Sequence, residues 1–368
     1  MKGNTMTKTA QAMYAVSLDE AVDLISNVGK QVTIMLRGHI GCGKTSTLLT
    51  LQERFPDHKA VLFDGTSKDL GDLWVPVHDK ELGCIKMAPA EEFGIHLNMP
   101  LILCLDEISK ANKSVKNGMM RVMLERNVNG TQLHPDTIIY ATGNLGNEGL
   151  GDMLEAHQIN RMCIIETAKP TTEEWIAWAI NNDVDPTIIS FVNENPQVLA
   201  DFRDVGNPED NQYIFHPRRG ASEQFVTPRS LEKASDVMKI REHLTTNSLT
   251  SALIGTIGSR AAMDMLAYTK LVDDLPKLED IKTSPTSAKV PTTASALCMI
   301  VYRTLASIEK DWVGAWLTYL KRLPPEAQAM FANGVRSPKY NKQSIIMTHK
   351  LFTEWARDNT HMFAADKV

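Results

Sequence analysis

The sequence predicts an α/β protein: a parallel five-stranded sheet flanked by helices, then a helical lid and a C-terminal helical extension. Two observations carry that expectation. The stretch GHIGCGKTS, Gly38 to Ser46, lies between a β-rich apolar run and a helix-forming run. Further on, PLILCLDEISK (100–110) and DTIIYATGN (136–144) are continuous apolar runs that close on polar clusters. Runs of that kind read as strands buried on both faces, as in a parallel sheet covered by helices.

The first strand is QVTIMLRG, 31–38, which ends at the first glycine of the loop. Gly38, Gly43, Lys44 and Thr45 fit the spacing G-x-x-x-x-G-K-[ST]. Glycines let the backbone curl so that successive N–H groups face an anion. The lysine reaches β- and γ-phosphates, and the threonine hydroxyl ligates Mg²⁺. The helix that follows, TSTLLTLQERF (45–55), adds its positive N-terminus and carries Leu48, Leu49 and Leu51. The candidate nucleotide cradle is therefore Gly38, His39, Ile40, Gly41, Cys42, Gly43, Lys44, Thr45 and Ser46, with ATP and Mg²⁺ as the implied ligands.

A second strand is expected at Ala60–Asp64. The third, within PLILCLDEISK, places Asp106 and Glu107 at its C-terminal end, where open α/β sheets bind ligands. Asp106 is placed to hold Mg²⁺ through water, and Glu107 to polarise an attacking water. The crossover helix ANKSVKNGMMRVMLERN, 111–127, has Val115, Met119, Val122 and Met123 at helical spacing, so its methionines read as core. The fourth strand ends at Asn144, which either bonds the γ-phosphate or the lytic water, or serves as a turn residue before Gly146. The fifth is Met162–Ile165.

This order, glycine loop, Asp-Glu strand and ATGN strand, resembles an AAA+ ATPase. It is more closely similar to the MoxR-like and dynein-related group, over roughly residues 15–245, most specifically in PLILCLDEISKANKSVKNGMMRVMLERNVNG and IIYATGN. The resemblance implies a ring, hexameric by expectation, that hydrolyses ATP to remodel a protein client. It also implies that such a ring often works with a partner carrying a von Willebrand factor A domain.

The resemblance gives two arginines separate roles. Arg161, in EAHQINRMCIIE (155–166), matches the arginine before the fifth strand that reaches a neighbouring subunit's γ-phosphate. Guanidinium suits that role because it is always charged and spreads donors over phosphate oxygens. The bland alternative is a helix-end arginine facing carbonyl dipoles. Met162 stands where the family commonly has phenylalanine, a mild departure. Arg229, in TPRSLEKASDVM (227–238), follows an N-cap Thr227 and a Pro228 at the first helical position. That matches the lid arginine that reads the γ-phosphate in cis, against the alternative of a solvated surface arginine.

The remaining organisation divides as a tail (1–14), a nucleotide domain (15–167), a lid (168–280) and a C-terminal extension (281–368). Within the lid, SALIGTIGSRAAMDMLAYTKLV (251–272) reads as one helix with Leu253, Ile257, Ala261 and Met265 on one stripe. The polar stretch 201–225 reads as a loop in which Arg218 and Arg219 are solvated. Segment 72–94 has little periodicity, and in AAA+ rings the region faces the pore. Trp74 there is either an exposed, client-gripping aromatic or part of the core.

Composition bounds the rest. In 368 residues the hydrophobic fraction is 43% and the net charge −5, so no chain-wide basic field draws nucleic acid or anionic membrane. No apolar run approaches the length of a membrane span, and the N-terminal stretch lacks the apolar core of a secretory signal. A cytoplasmic setting follows as an expectation. Cys42, Cys84, Cys104, Cys163 and Cys298 are scattered and odd in number, and read as buried thiols rather than disulfides or metal ligands. Two other functions share the core: a nucleic-acid motor or loader, which would call for a helix-turn-helix or a basic patch, and a slow nucleotide-gated scaffold, against which Glu107 argues. The chain has no N-K-x-D element of the kind that reads guanine, so ATP is expected over GTP.

Overall fold

The computed structural model describes residues 14–146, 154–219, 223–269 and 275–363. The chain divides into two compact units. One runs to Lys169 and includes His216–Arg218; the other holds Pro170–Phe215 and Arg219 onward. Of the expected N-terminal tail, all but Tyr14 lies outside the described residues.

The first unit is an α/β core around a five-stranded parallel sheet. Its spatial order is Lys59–Asp64, Leu101–Asp106, Ile138–Asn144, Ile34–Gly38, Cys163–Thr167. Numbered along the chain, the strands therefore lie 2-3-4-1-5. Alternate side chains go to opposite faces, as the pleat dictates. Ile34, Leu36, Ile102, Cys104, Ile138 and Tyr140 meet Ala21, Val22 and Ile25 of the helix Leu18–Val28 and Leu48 and Leu51 of the helix Thr47–Arg54. Met35, Leu103, Leu105, Ile139 and Ala141 meet Val115, Met119, Met120 and Met123 of the helix Lys113–Glu125. Both faces are thus covered, which is why the strands read as unbroken apolar runs and why the methionines are core. Leu49, expected among the apolar residues of its helix, faces solvent.

Caps fix the helix ends. Ser17 and Glu20 form a reciprocal capping box, and Asn112 accepts from the amide of Val115. Arg126 closes the crossover helix in the left-handed region at φ 52. Its guanidinium donates to the carbonyls of Gly29 and Thr137, and burial pushes its pKa down to about 10.

Between strands 2 and 3 the chain makes an antiparallel hairpin, Trp74–Asp79 with Cys84–Pro89. Segment 72–94 has little periodicity, and Pro76 sits within the first arm, which argues against a strand in a covered sheet. The hairpin is not covered. Val75, Val77, Leu82, Ile85 and Met87 are all exposed. Trp74 is half-buried instead, packed on the core beside Gly118, where an added Cβ would come within 2.7 Å of its ring. Cys84 on this hairpin is exposed and Cys163 half-buried, so the expectation of uniformly buried thiols holds only for Cys42, Cys104 and Cys298.

The second unit is helical. One apolar core joins Trp175, Ile188, Leu231, Leu253 and Met265 to Ile300, Trp316, Phe331 and Trp355, so residues of 168–280 and 281–368 are buried together. The stripe Leu253, Ile257, Ala261 and Met265 is buried throughout, but on two helices, Thr246–Ile257 and Ser259–Thr269. The break falls at Gly258, whose φ is +84 and whose absent Cβ would lie 2.2 Å from the carbonyl oxygen of Gln224. No helix among the described residues is long and apolar enough to cross a membrane.

Candidate functional site

The sheet order decides what meets what. Strand 4 lies between strand 1, which delivers the glycine loop, and strand 3, which delivers the two carboxylates. Gly38 is level with Asn144, and Leu105 with Ala141. The three strand ends therefore present their polar residues side by side, at the usual strand spacing of about 4.8 Å.

The loop is built for close backbone approach. Gly41 and Gly43 adopt φ +67 and +97, in the region glycine enters without steric cost. Lys44 is buried, and its ammonium donates to the carbonyls of Gly38 (2.9 Å) and His39 (2.7 Å) and to Asn144 Oδ1 (3.1 Å). Cys42 Sγ, at 3.8 Å, is a weaker fourth acceptor beside these three oxygens. The Ser46 hydroxyl donates to Gly43 O at 2.7 Å. The helix is regular only from Thr47, and Ser46 makes no side-chain cap for it. Beneath the loop, burial pushes the Cys104 thiol and the Tyr140 phenol well up, so both stay protonated.

The carboxylates follow. Thr45 Oγ1 donates to Asp106 at 3.0 Å (Oδ1) and 3.2 Å (Oδ2). A hydroxyl beside a carboxylate is an oxygen pair of the kind that holds Mg²⁺ when phosphate and water complete the set, so the residues present fit that ion. Thr142, from strand 4, also donates to Asp106 Oδ1 and accepts from the Glu107 amide at 3.0 Å. Glu107 leaves the strand at φ 48, a left-handed turn that re-aims its side chain. Its Oε1 accepts from Asn144 Nδ2 at 3.3 Å, and its Oε2 is ion-paired with Lys110. Among the described residues no cluster of three or more His, Cys, Asp or Glu is arranged to hold a metal.

The structure thus brings together Lys44, Thr45, Asp106, Glu107 and Asn144. It does not add Arg161 to them. Arg161 is exposed, two residues before the strand Cys163–Thr167. That strand starts level with Ile34 and ends level with Gly38, so Arg161 lies at the edge of the sheet away from the loop. Four residues of strand, about 13 Å, separate the two edges. Arg229 belongs to the second unit, exposed in the first turn of the helix Pro228–Lys239, with Thr227 as N-cap and Ser230 completing the box. Arg219, expected to be solvated, is half-buried and donates to Pro208 O and Ile214 O. Sequence reasoning missed two members of the site. Thr142 carried no local signal. Lys110 carried one, its three-residue spacing from Glu107 in a turn.

No protein-family model and no curated protein matches the chain. Solved structures do. A Cytophaga hutchinsonii protein provisionally described as an ATPase is 13% identical over 70% of this chain and 91% of its own, with a TM-score of 0.32. The closed state of Hsp104 with ATPγS and FITC casein is 14% identical over 62% of this chain, with a TM-score of 0.39, and the match spans 46% of that protein. The Thermotoga maritima RuvB Holliday junction branch migration motor is 13% identical over 83% of this chain and 89% of its own, with a TM-score of 0.35.

Proposed function

We propose that the chain is a Mg²⁺-dependent ATPase of the AAA+ class, in the MoxR-like and dynein-related group, working in a ring on a protein client. The observation that supports it is one hydrogen-bonded set running from Lys44 through Asn144 to Glu107, with Thr45 and Asp106 beside it. Residues 15–167 are the nucleotide domain, 168–280 the lid and 281–368 a helical extension. The ring is a hexamer, and a von Willebrand factor A domain protein is its expected partner.

Lys44 exchanges its carbonyl and Asn144 contacts for β- and γ-phosphate oxygens. The loop amides from Gly38 to Ser46 line the phosphates. Thr45 and Asp106 would hold Mg²⁺, which when bound would neutralise charge on the phosphate oxygens. Glu107 accepts a hydrogen bond from the attacking water, and Asn144 sits beside it. A neighbour's Arg161 supplies the last positive charge, and Arg229 reads the γ-phosphate from the lid. Positioning and electrostatics supply nearly all of the catalysis in this reaction class.

The test is Glu107→Gln. It keeps the size of the side chain and leaves Asp106 untouched. It is expected to bind ATP as the wild type does and to lose hydrolysis. Turnover near the wild-type rate would remove Glu107 from its role.

A further inference from the structure

Glu107 is held at three points. Its amide donates to Thr142, its Oε1 accepts from Asn144, and its Oε2 pairs with Lys110. The two carboxylate oxygens therefore face different neighbours. Oε1 lies on the side of Asn144, whose own Oδ1 accepts from the phosphate-binding Lys44. Oε2 lies on the other side, against a lysine that no phosphate role requires.

Lys110 is well placed to anchor it. It ends the turn Ile108–Lys110, directly after Glu107, and its amide donates to Glu107 O at 2.8 Å. Backbone and side chain of the same residue thus close on Glu107 from one side. The pair is partly shielded, with the lysine side chain 24% and the glutamate 33% exposed. A glutamate without that anchor has three torsions to sample, and only a fraction of its rotamers keep an oxygen on the Asn144 side.

We propose that Lys110 is a positioning residue: by holding Oε2 it keeps Oε1 turned toward the nucleotide side, ready to receive the attacking water. The inference rests on Glu107 being the water-orienting carboxylate. The opposite role, a brake that draws Glu107 away, fits the geometry less well. A brake would occupy the oxygen nearest Asn144, and Lys110 occupies the other one.

The experiment compares the full-length wild type with Lys110→Met and Lys110→Arg, each assayed for ATP turnover, nucleotide affinity by fluorescent-ATP titration, and melting temperature. Methionine keeps the apolar stem and removes the charge. A partly exposed ion pair biases a rotamer by about two- to fivefold, so kcat of Lys110→Met should fall by that factor. KM, affinity and melting temperature should not move, and Lys110→Arg should recover most of the rate. Unchanged or faster turnover in Lys110→Met overturns the inference. So does a loss that comes with weaker binding or lower melting, or one that arginine fails to recover. If the wild type turns over, Glu107→Gln does not, and Lys110→Met matches the wild type, only the role of Lys110 falls. If wild type and Glu107→Gln turn over alike, the role of Glu107 falls and this inference with it.

Discussion

Replacing Thr142 with valine tests whether one hydroxyl holds both carboxylates in place. Thr142 is 1% exposed on strand 4; its oxygen accepts from the Glu107 amide and donates to Asp106. Valine has the same shape and can do neither, so the swap is not conservative. The Glu107 amide would lose its acceptor at a left-handed φ of 48, a conformation with its own cost for a residue bearing Cβ. An unpaired, shielded donor costs about 1–3 kcal/mol. For a unit of roughly 150–250 residues each kcal/mol moves the midpoint by about 2–4 °C, so melting should drop by roughly 2–12 °C. Asp106 would keep Thr45 but lose its second donor, so the Mg²⁺ concentration for half-maximal turnover should rise severalfold. Calorimetry without nucleotide reads the first effect, and a Mg²⁺ titration of ATP hydrolysis reads the second. Thr142→Ser, which restores the hydroxyl, should recover both. A valine variant that melts with the wild type and responds equally to Mg²⁺ would refute the reasoning.

Three further outcomes are expected. Lys44→Ala should abolish ATP binding, because the loop loses its cation, and unchanged affinity in a fluorescent-nucleotide titration would count against the phosphate site. Arg161→Ala should keep nucleotide binding and lose about 10³–10⁵ in rate, the usual worth of an arginine supplied across an interface. Mixing it with Lys44→Ala should restore partial activity in rings verified as mixed by native mass spectrometry, and no recovery at any ratio would rule out action in trans. Gly258→Ala should lower the stability of the helical unit, since a Cβ at φ +84 would press on the Gln224 carbonyl; an unchanged calorimetric profile would mean the backbone there relaxes freely.

Much of the first unit was legible because its signals are local. Strands 3 and 4 are buried on both faces, so they read as apolar runs without alternation, and Lys44 and Thr45 sit at fixed offsets from glycines. What was missed depends on contacts made across the fold. The hairpin Trp74–Asp79 with Cys84–Pro89 is exposed on both faces, so no burial imposes a pattern on it. Residues 251–272 read as one helix because the apolar stripe continues past Gly258, and only the approach of Gln224 explains the break. Thr142 lies in an apolar strand at a position that gains meaning once strand 3 stands beside it.

Asparagine at 144 shows how narrow the chemical requirement becomes once that order is set. The position lies between an ammonium and a carboxylate, Lys44 and Glu107. It must offer an acceptor to one and a donor to the other. An amide does this in one orientation only, with Oδ1 toward Lys44 (3.1 Å) and Nδ2 toward Glu107 (3.3 Å). Turned over, it would aim its NH₂ at an ammonium and its oxygen at a carboxylate. Aspartate would suit Lys44 and repel Glu107, and leucine would satisfy neither. The oxygen acceptors of the Lys44 ammonium are two loop carbonyls and this one side chain, with Cys42 Sγ farther off at 3.8 Å. The carbonyls are fixed by the loop backbone, whereas the amide can turn about its own torsions. In the proposed reaction, phosphate oxygens arriving at Lys44 would therefore displace the Asn144 contact most easily, and the group released would be the one already bonded to Glu107.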